Sequence, residues 1–310
     1  MTGCQEYGVF PRMVEIMLPH GGLVLALLEA YFDESIGVAR PAGRQSHRIL
    51  CVAGYLIDSS QGRPLCEDWR AVLEPRGLEY FHMVDCAHGA GIYSGIPKNE
   101  RASIAARMIG NIKRRTLHGF AVAVNLEHWD ELAPKHPIIG SAYNFCMTVV
   151  MNGVSSWVEK QKFGGEIAYF FEAGHGSATE TDQLMRKTFS FPEMKQSLKY
   201  GGHAFMPKAK CPPVQAADLL AWQFYTDVRR QMEGPKELRR EHRKDFGSLL
   251  EHPHTVRFIL PEMLAALRDD PDFHPATVPI HQAFDQHKWA KRLREALKPA
   301  IPSYEGELQS

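Results

Sequence analysis

An α/β domain built on a mixed sheet is the fold class that this 310-residue sequence predicts, and three features predict it. Two β-branched and aromatic runs, Leu23 to Phe32 and "RILCVAGYLI", are separated by the short polar connection "IGVARPAGRQS", the pattern of an antiparallel hairpin. Further apolar runs then alternate with longer segments of helical period, the order that produces strands covered by helices. Hydrophobic residues make up 44% of the chain, enough for a substantial core at this length.

The first run, "GGLVLALLEAYF", is apolar enough to resemble the centre of a signal peptide. It lacks a strong basic flank and a small-residue cleavage site, and it is too short to span a bilayer, so it is expected to be a buried strand. Residues 1–22 are then an N-terminal extension. After the hairpin, "LCEDWRAVLE" and "NERASIAARMIGNIKRR" have helical spacing, with Ile104, Met108 and Ile112 on one face. They form a helical insertion ahead of the third strand, "LHGFAVAVN". A long apolar helix, "SAYNFCMTVVMNGVSSWVEKQ", leads to a fourth strand, "GEIAYFFEAG", which ends at Glu172. A helix near Thr179 to Thr188 and a weaker fifth strand, "LKYGGHAFM", follow. The segment "PPVQAADLLAWQFYTDVRRQM" opens on two prolines, as helix N-termini often do. Beyond Gly234, "KELRREHRKD", "PEMLAALRDD" and "HKWAKRLREAL" read as charged helices. The expected organisation is a five-stranded domain over residues 23–233 with a charged, mainly helical C-terminal extension over residues 234–310.

Lys plus Arg and Asp plus Glu are both 36, so net charge supplies no general attraction to nucleic acid or to an anionic membrane, and any such partner must be held by local patches. The six cysteines are scattered without a C-x-x-C pair, which points to reduced thiols and a cytoplasmic setting rather than a disulfide framework.

Side chains that act on a ligand collect at strand ends and helix starts in sheets of this class. Asp33 after the first apolar run, Glu172 at the end of the fourth, and Asp218 in the first turns of the late helix occupy such places. Each has an ordinary structural role available, as a turn cap, a solvated terminus or a partner of the helix N-terminus. What distinguishes them is that all three interrupt strongly apolar stretches. Clustered carboxylates raise one another's pKa unless a cation neutralises them, and the matching cation is Mg2+ or Mn2+ bound through oxygen.

The motifs "YFDES", "FHMVD", "FFEAG" and "QAADLLAW" resemble those of the DUF3800 family, a group within the ribonuclease H-like superfamily, and the resemblance runs from about Leu28 to Arg230. It implies a ribonuclease H-like mixed sheet flanked by helices and hydrolysis of phosphodiester bonds in nucleic acid, dependent on divalent metal. Asp33, Glu172 and Asp218 map onto its acidic metal-binding positions. Glu34, His82, Asp85 and Gln215 are further motif positions, with His82 or Glu34 as candidates to steer water or a proton and Gln215 as a candidate substrate contact. Glu34 follows Asp33 on a strand and so points to the opposite face, away from any shared ion unless the chain turns there. The alternative on the same fold is a non-catalytic module that binds nucleic acid or a protein.

Other signals in the sequence are weaker. His82, Asp85, Cys86 and His88 have atoms suited to zinc, but no second ligand pair matches them. Gly174-His175-Gly176 mimics the start of a dinucleotide fingerprint, lacks the third glycine and reads as a turn. Of the basic clusters, Arg229 and Arg230 lie on the Asp218 helix, where they are placed to hold a nucleic-acid backbone. Trp222, Phe224 and Tyr225 on that helix read as core packing.

Overall fold

The computed structural model describes residues 27–37, 47–133, 140–173, 178–190, 192–232 and 242–269. The expected N-terminal extension, the Leu23 start of the first strand, the Gly174-His175-Gly176 turn and the "HKWAKRLREAL" helix lie outside the described residues. Six strands form one mixed sheet: β1 Leu27–Ile36, β2 Ile49–Asp58, β3 His118–Asn125, β4 Glu166–Glu172, β5 Tyr200–Met206 and β6 His254–Ile259. Their spatial order is β5-β4-β1-β2-β3-β6. The pairs β1/β2 and β2/β3 are antiparallel, whereas β1/β4, β4/β5 and β3/β6 are parallel.

Helices cover both faces. On one lie α1 Ser59–Leu73, α2 Met83–His88, α3 Lys98–Arg115, α8 Pro212–Met232 and α9 Lys244–Leu250. On the other lie α4 Leu126–Leu132, α5 Ala142–Lys160, α6 Ala178–Thr188, α7 Pro192–Ser197 and α10 Pro261–Asp269. The period-2 alternation of the strands divides the core accordingly: Leu28, Ala30 and Phe32 of β1 pack toward α5, while Tyr31 packs toward α8. Ile104, Met108 and Ile112 share the buried face of α3, as their spacing predicts. Residues that close strands also open helices. Asp58 Oδ1 accepts from Ser60 N at 2.9 Å, and Asn125 Oδ1 accepts from Glu127 N at 2.8 Å, supplying the acceptors that a helix N-terminus lacks.

Two sequence expectations are corrected. The sheet has six strands rather than five, because "HTVRFI" within the expected helical extension pairs with β3 from Gly119↔His254 to Val124↔Ile259. Charged helical segments on either side conceal this short β-branched and aromatic run. In addition, β1 does not stop at Phe32; it stays paired with β2 through Ile36↔Leu50, so Asp33 and Glu34 lie inside the strand.

The β3/β6 seam has a specific lock. Any Cβ at position 119 would overlap the His254 ring, so glycine is what lets the imidazole lie across β3. His254 Nδ1 donates to the His252 carbonyl at 2.7 Å, leaving Nε2 to accept from Tyr55 Oη at 3.1 Å. His118 Nε2 meets Thr255 Oγ1 at 2.9 Å, and His252 Nε2 meets Thr116 Oγ1 at 2.9 Å. Burial pushes His254 down to about 3, with the hydrogen bond to the His252 carbonyl opposing and the charges of His252 and His118 adding; burial, His252 and Lys160 push His118 down to about 4; and burial and Lys113 also lower His252. These rings are neutral in the folded chain, while unfolded imidazole takes up its proton near pH 6.5. Stability from this seam is therefore complete above about pH 6.5 and is lost as pH falls toward 4, by up to about 1.4 kcal/mol per pH unit for His254 and for His118. Thermal unfolding followed from pH 7.5 to 4.5 should show a falling midpoint, and His118→Phe should make that fall shallower.

Candidate functional site

The parallel register of β1 and β4 runs to Phe32↔Phe171, which sets Asp33 and Glu172 side by side just beyond it. Both follow residues of the α8-facing set by the strand period, so both side chains stand on the α8 face. Helix α8 crosses β1 and β2, and its residues from Pro212 through Phe224 are all buried. Ala216, Ala217 and Ala221 keep its path close to the sheet, and this places Asp218 over the same spot.

Between these acids lies Lys208, in the 3-10 turn Lys208–Lys210 that connects β5 to α8. Its Nζ is 2.9 Å from Asp33 Oδ2, 3.2 Å from Glu172 Oε2 and 3.3 Å from Asp218 Oδ1. The Asp33 side chain is wholly buried, and that of Lys208 is 15% exposed. Burial and then the charge of Asp218 raise the Asp33 carboxyl well above its usual range, with Lys208 opposing and Glu172 adding to the rise. For Lys208 itself, burial acts to lower the pKa, but Asp218, Asp33 and Glu172 outweigh it and hold the ammonium above its usual range. Lys208 is thus a charged side chain among three acids.

The surrounding polar groups fix this geometry. Gln215 Oε1 accepts from Trp69 Nε1 and from Phe81 N, each at 2.8 Å, and its Nε2 donates to the Lys208 carbonyl at 2.8 Å. One buried amide therefore ties α1, the segment before α2 and the lysine turn to α8. Asp218 Oδ2 accepts from Met83 N at 2.7 Å, supplying from outside the acceptor that α2 lacks at its own N-terminus. The preceding residue, His82, contacts Asp85 Oδ2 through Nδ1 at 2.9 Å.

The structure brings Asp33, Glu172 and Asp218 together and places His82 and Asp85 on the adjoining segment. It does not bring Glu34, which sits on the opposite face near Tyr143 of α5. Gln215, expected as a substrate contact, is 1% exposed and uses its amide internally. Arg229 and Arg230 lie three turns along α8, about 16 Å from Asp218. Arg229 rests over Tyr225, with its guanidinium 5.6 Å from the ring centroid. Trp222 and Phe224 are buried in the core, and Tyr225 is half-buried.

Sequence reasoning missed Lys208, whose only signal is a lysine held between Pro207 and the Pro212-Pro213 helix start. It also missed Glu29, 4% exposed on the Asp33 face of β1, whose Oε2 accepts from Tyr31 Oη at 2.8 Å. Burial pushes the Glu29 carboxyl up to about 7, the Tyr31 hydrogen bond opposing and Asp58 adding. Among the described residues no three His, Cys, Asp or Glu side chains are already arranged around an ion position. The donor set at Asp33, Glu172 and Asp218 nevertheless fits a hard divalent cation in kind, being carboxylate oxygen alone and having a positive charge as its central partner. No protein-family model matches the chain, and no curated protein does.

Gln215→Leu leaves the Trp69 and Phe81 donors buried without their acceptor and should cost about 2–4 kcal/mol, measured by denaturant unfolding. Glu29→Gln should act in the opposite direction. The folded-state pKa of Glu29 is raised, so its contribution to stability is intact near pH 4 and is lost as pH rises toward 7. The glutamine variant should therefore gain up to about 3 kcal/mol over the parent at pH 8 and little at pH 4.5, a difference that paired melts at the two pH values will measure.

Proposed function

We propose that this chain is a ribonuclease H-like, DUF3800-type hydrolase that cleaves phosphodiester bonds of nucleic acid with Mg2+ or Mn2+ held by Asp33, Glu172 and Asp218. The observation that carries the proposal is the meeting of these acids, from two parallel strands and a helix, around one lysine ammonium. The sheet supports the fold part of the reading: an antiparallel β1-β2-β3 meander, with β4 and β5 added in parallel beside β1, puts the β1 and β4 ends under α8.

When bound, a pair of such ions supplies an activated water and stabilises the leaving oxygen of an in-line displacement. The chain's own residues do the rest. Asp33 and Asp218 are buried and fixed, so their oxygens are oriented before a substrate arrives. Met83 N–H holds Asp218 Oδ2, leaving Oδ1 directed at the cluster. His82 Nδ1 is engaged by Asp85, so Nε2 is the ring nitrogen left to take or give a proton at the leaving group. Glu34, across the sheet, takes no part in this step.

The position of Lys208 favours a second reading. A lysine that remained permanently among the acids would make the cluster a neutralised structural centre, and the protein a module that binds nucleic acid or a partner protein without cutting. Incubating labelled single- and double-stranded DNA, RNA and hybrid with Mn2+, Mg2+ or chelator separates the two. Cleavage should require metal and fall about a hundredfold or more in Asp33→Asn and Asp218→Asn. Asp218→Asn should fold, because its amide oxygen can still accept from Met83 N–H. Binding without cleavage by folded wild-type protein would establish the second reading instead.

A further inference from the structure

We infer that Lys208 is a displaceable internal cation: its ammonium holds the place among Asp33, Glu172 and Asp218, and it withdraws when a divalent ion takes those oxygens. The inference rests on the metal-dependent reading above and extends it to a named residue.

Three observations support it. First, the ammonium and a divalent ion require the same oxygens. Lys208 Nζ is within 3.3 Å of one oxygen from each acid, and a divalent ion held by those oxygens would repel a cation at that position. Second, one ammonium is shared by three acids, at 2.9 Å from Asp33, 3.2 Å from Glu172 and 3.3 Å from Asp218. A single ammonium also leaves three acids short of full charge balance, a deficit that a doubly charged ion reduces. Third, the backbone and the side chain are separately held. The Lys208 carbonyl accepts from Gln215 Nε2 at 2.8 Å and from Cys211 N at 3.1 Å, so the turn is anchored. The four-carbon side chain beyond it is partly exposed and can swing toward solvent while the backbone stays in place. Withdrawn, the ammonium stands at the rim of the acid cluster, where a phosphate would approach.

Manganese titration by calorimetry, run on wild type, Lys208→Met and Asp33→Asn, tests this together with amine acylation of the wild-type protein read by peptide mass spectrometry. Lys208 should resist acylation without Mn2+ and react roughly tenfold faster with saturating Mn2+. Lys208→Met should bind Mn2+ roughly tenfold or more tightly than wild type, because the competing internal cation is gone. Mn2+ binding that depends on Asp33 but leaves Lys208 protected, with no tighter binding by Lys208→Met, would overturn the displacement while leaving the metal site standing. Absence of Mn2+ binding by both wild type and Lys208→Met would overturn the metal site, and displacement with it. The acylation arm needs only wild-type protein, so a Lys208→Met chain that fails to fold does not remove the test.

Discussion

The ammonium of Lys208, within 3.3 Å of oxygens on Asp33, Glu172 and Asp218, is the contact on which the centre of the molecule depends. Two of these acids are almost wholly buried, and carboxylates out of water repel each other strongly as well as losing hydration. Protonation, hydrogen bonding or a cation must compensate. Here a cation from the same chain offsets part of that cost, and because it arrives on the turn between β5 and α8, the lysine links the edge of the sheet to the helix above it.

Gln215 shows how the surrounding fold serves that contact. Its amide oxygen draws Trp69 of α1 and the Phe81 backbone toward α8, while its nitrogen holds the lysine turn. Asp218, one helical turn further on, uses its second oxygen to start α2 at Met83. Residues spaced i, i+3 on a helix share a face, so both side chains point to the same side of α8. The segment carrying His82 and Asp85 is thereby fixed relative to the acids through two independent hydrogen bonds. A site assembled from strands and one deeply buried helix holds its geometry better than one assembled on loops.

Much of this was legible in the sequence for identifiable reasons. The first four strands stand out because their residues are largely apolar, β5 is a weaker run with two glycines and a histidine, and α8 is opened by its prolines. The three acids were legible because a charge interrupting an apolar run must have a partner. β6 was hidden by the charged helices flanking it, and the end of β1 was misplaced because Asp33 and Glu34 look like a strand terminus when the pairing partner is unknown. Lys208 was illegible for a deeper reason. Three converging carboxylates require a positive charge, but the sequence does not say whether it comes from an ion or from a lysine ten residues away. Gln215 and Arg229 illustrate the same limit. A motif position or a helix face can be read from spacing, but whether a side chain meets a ligand or another part of the chain depends on tertiary neighbours.

Strand β1 carries two buried acids on one face, and the difference in how they are accommodated bears on which one acts. Glu29 has Tyr31 Oη as its hydrogen-bond donor, and burial raises its carboxyl to about 7, so it approaches neutrality by holding a proton. Asp33, four residues along, has an ammonium beside it and two further acids. A carboxyl stabilised by its own proton has little reason to exchange that proton for a metal ion, since the hydrogen bond is lost in the exchange. Burial and Asp218 raise the Asp33 carboxyl too, but a lysine beside it opposes that rise, so its surroundings are already shaped for positive charge and replacing one cation with another preserves them. The Asp33 end of β1, rather than its Glu29 end, is therefore where the fold is prepared for an incoming cation.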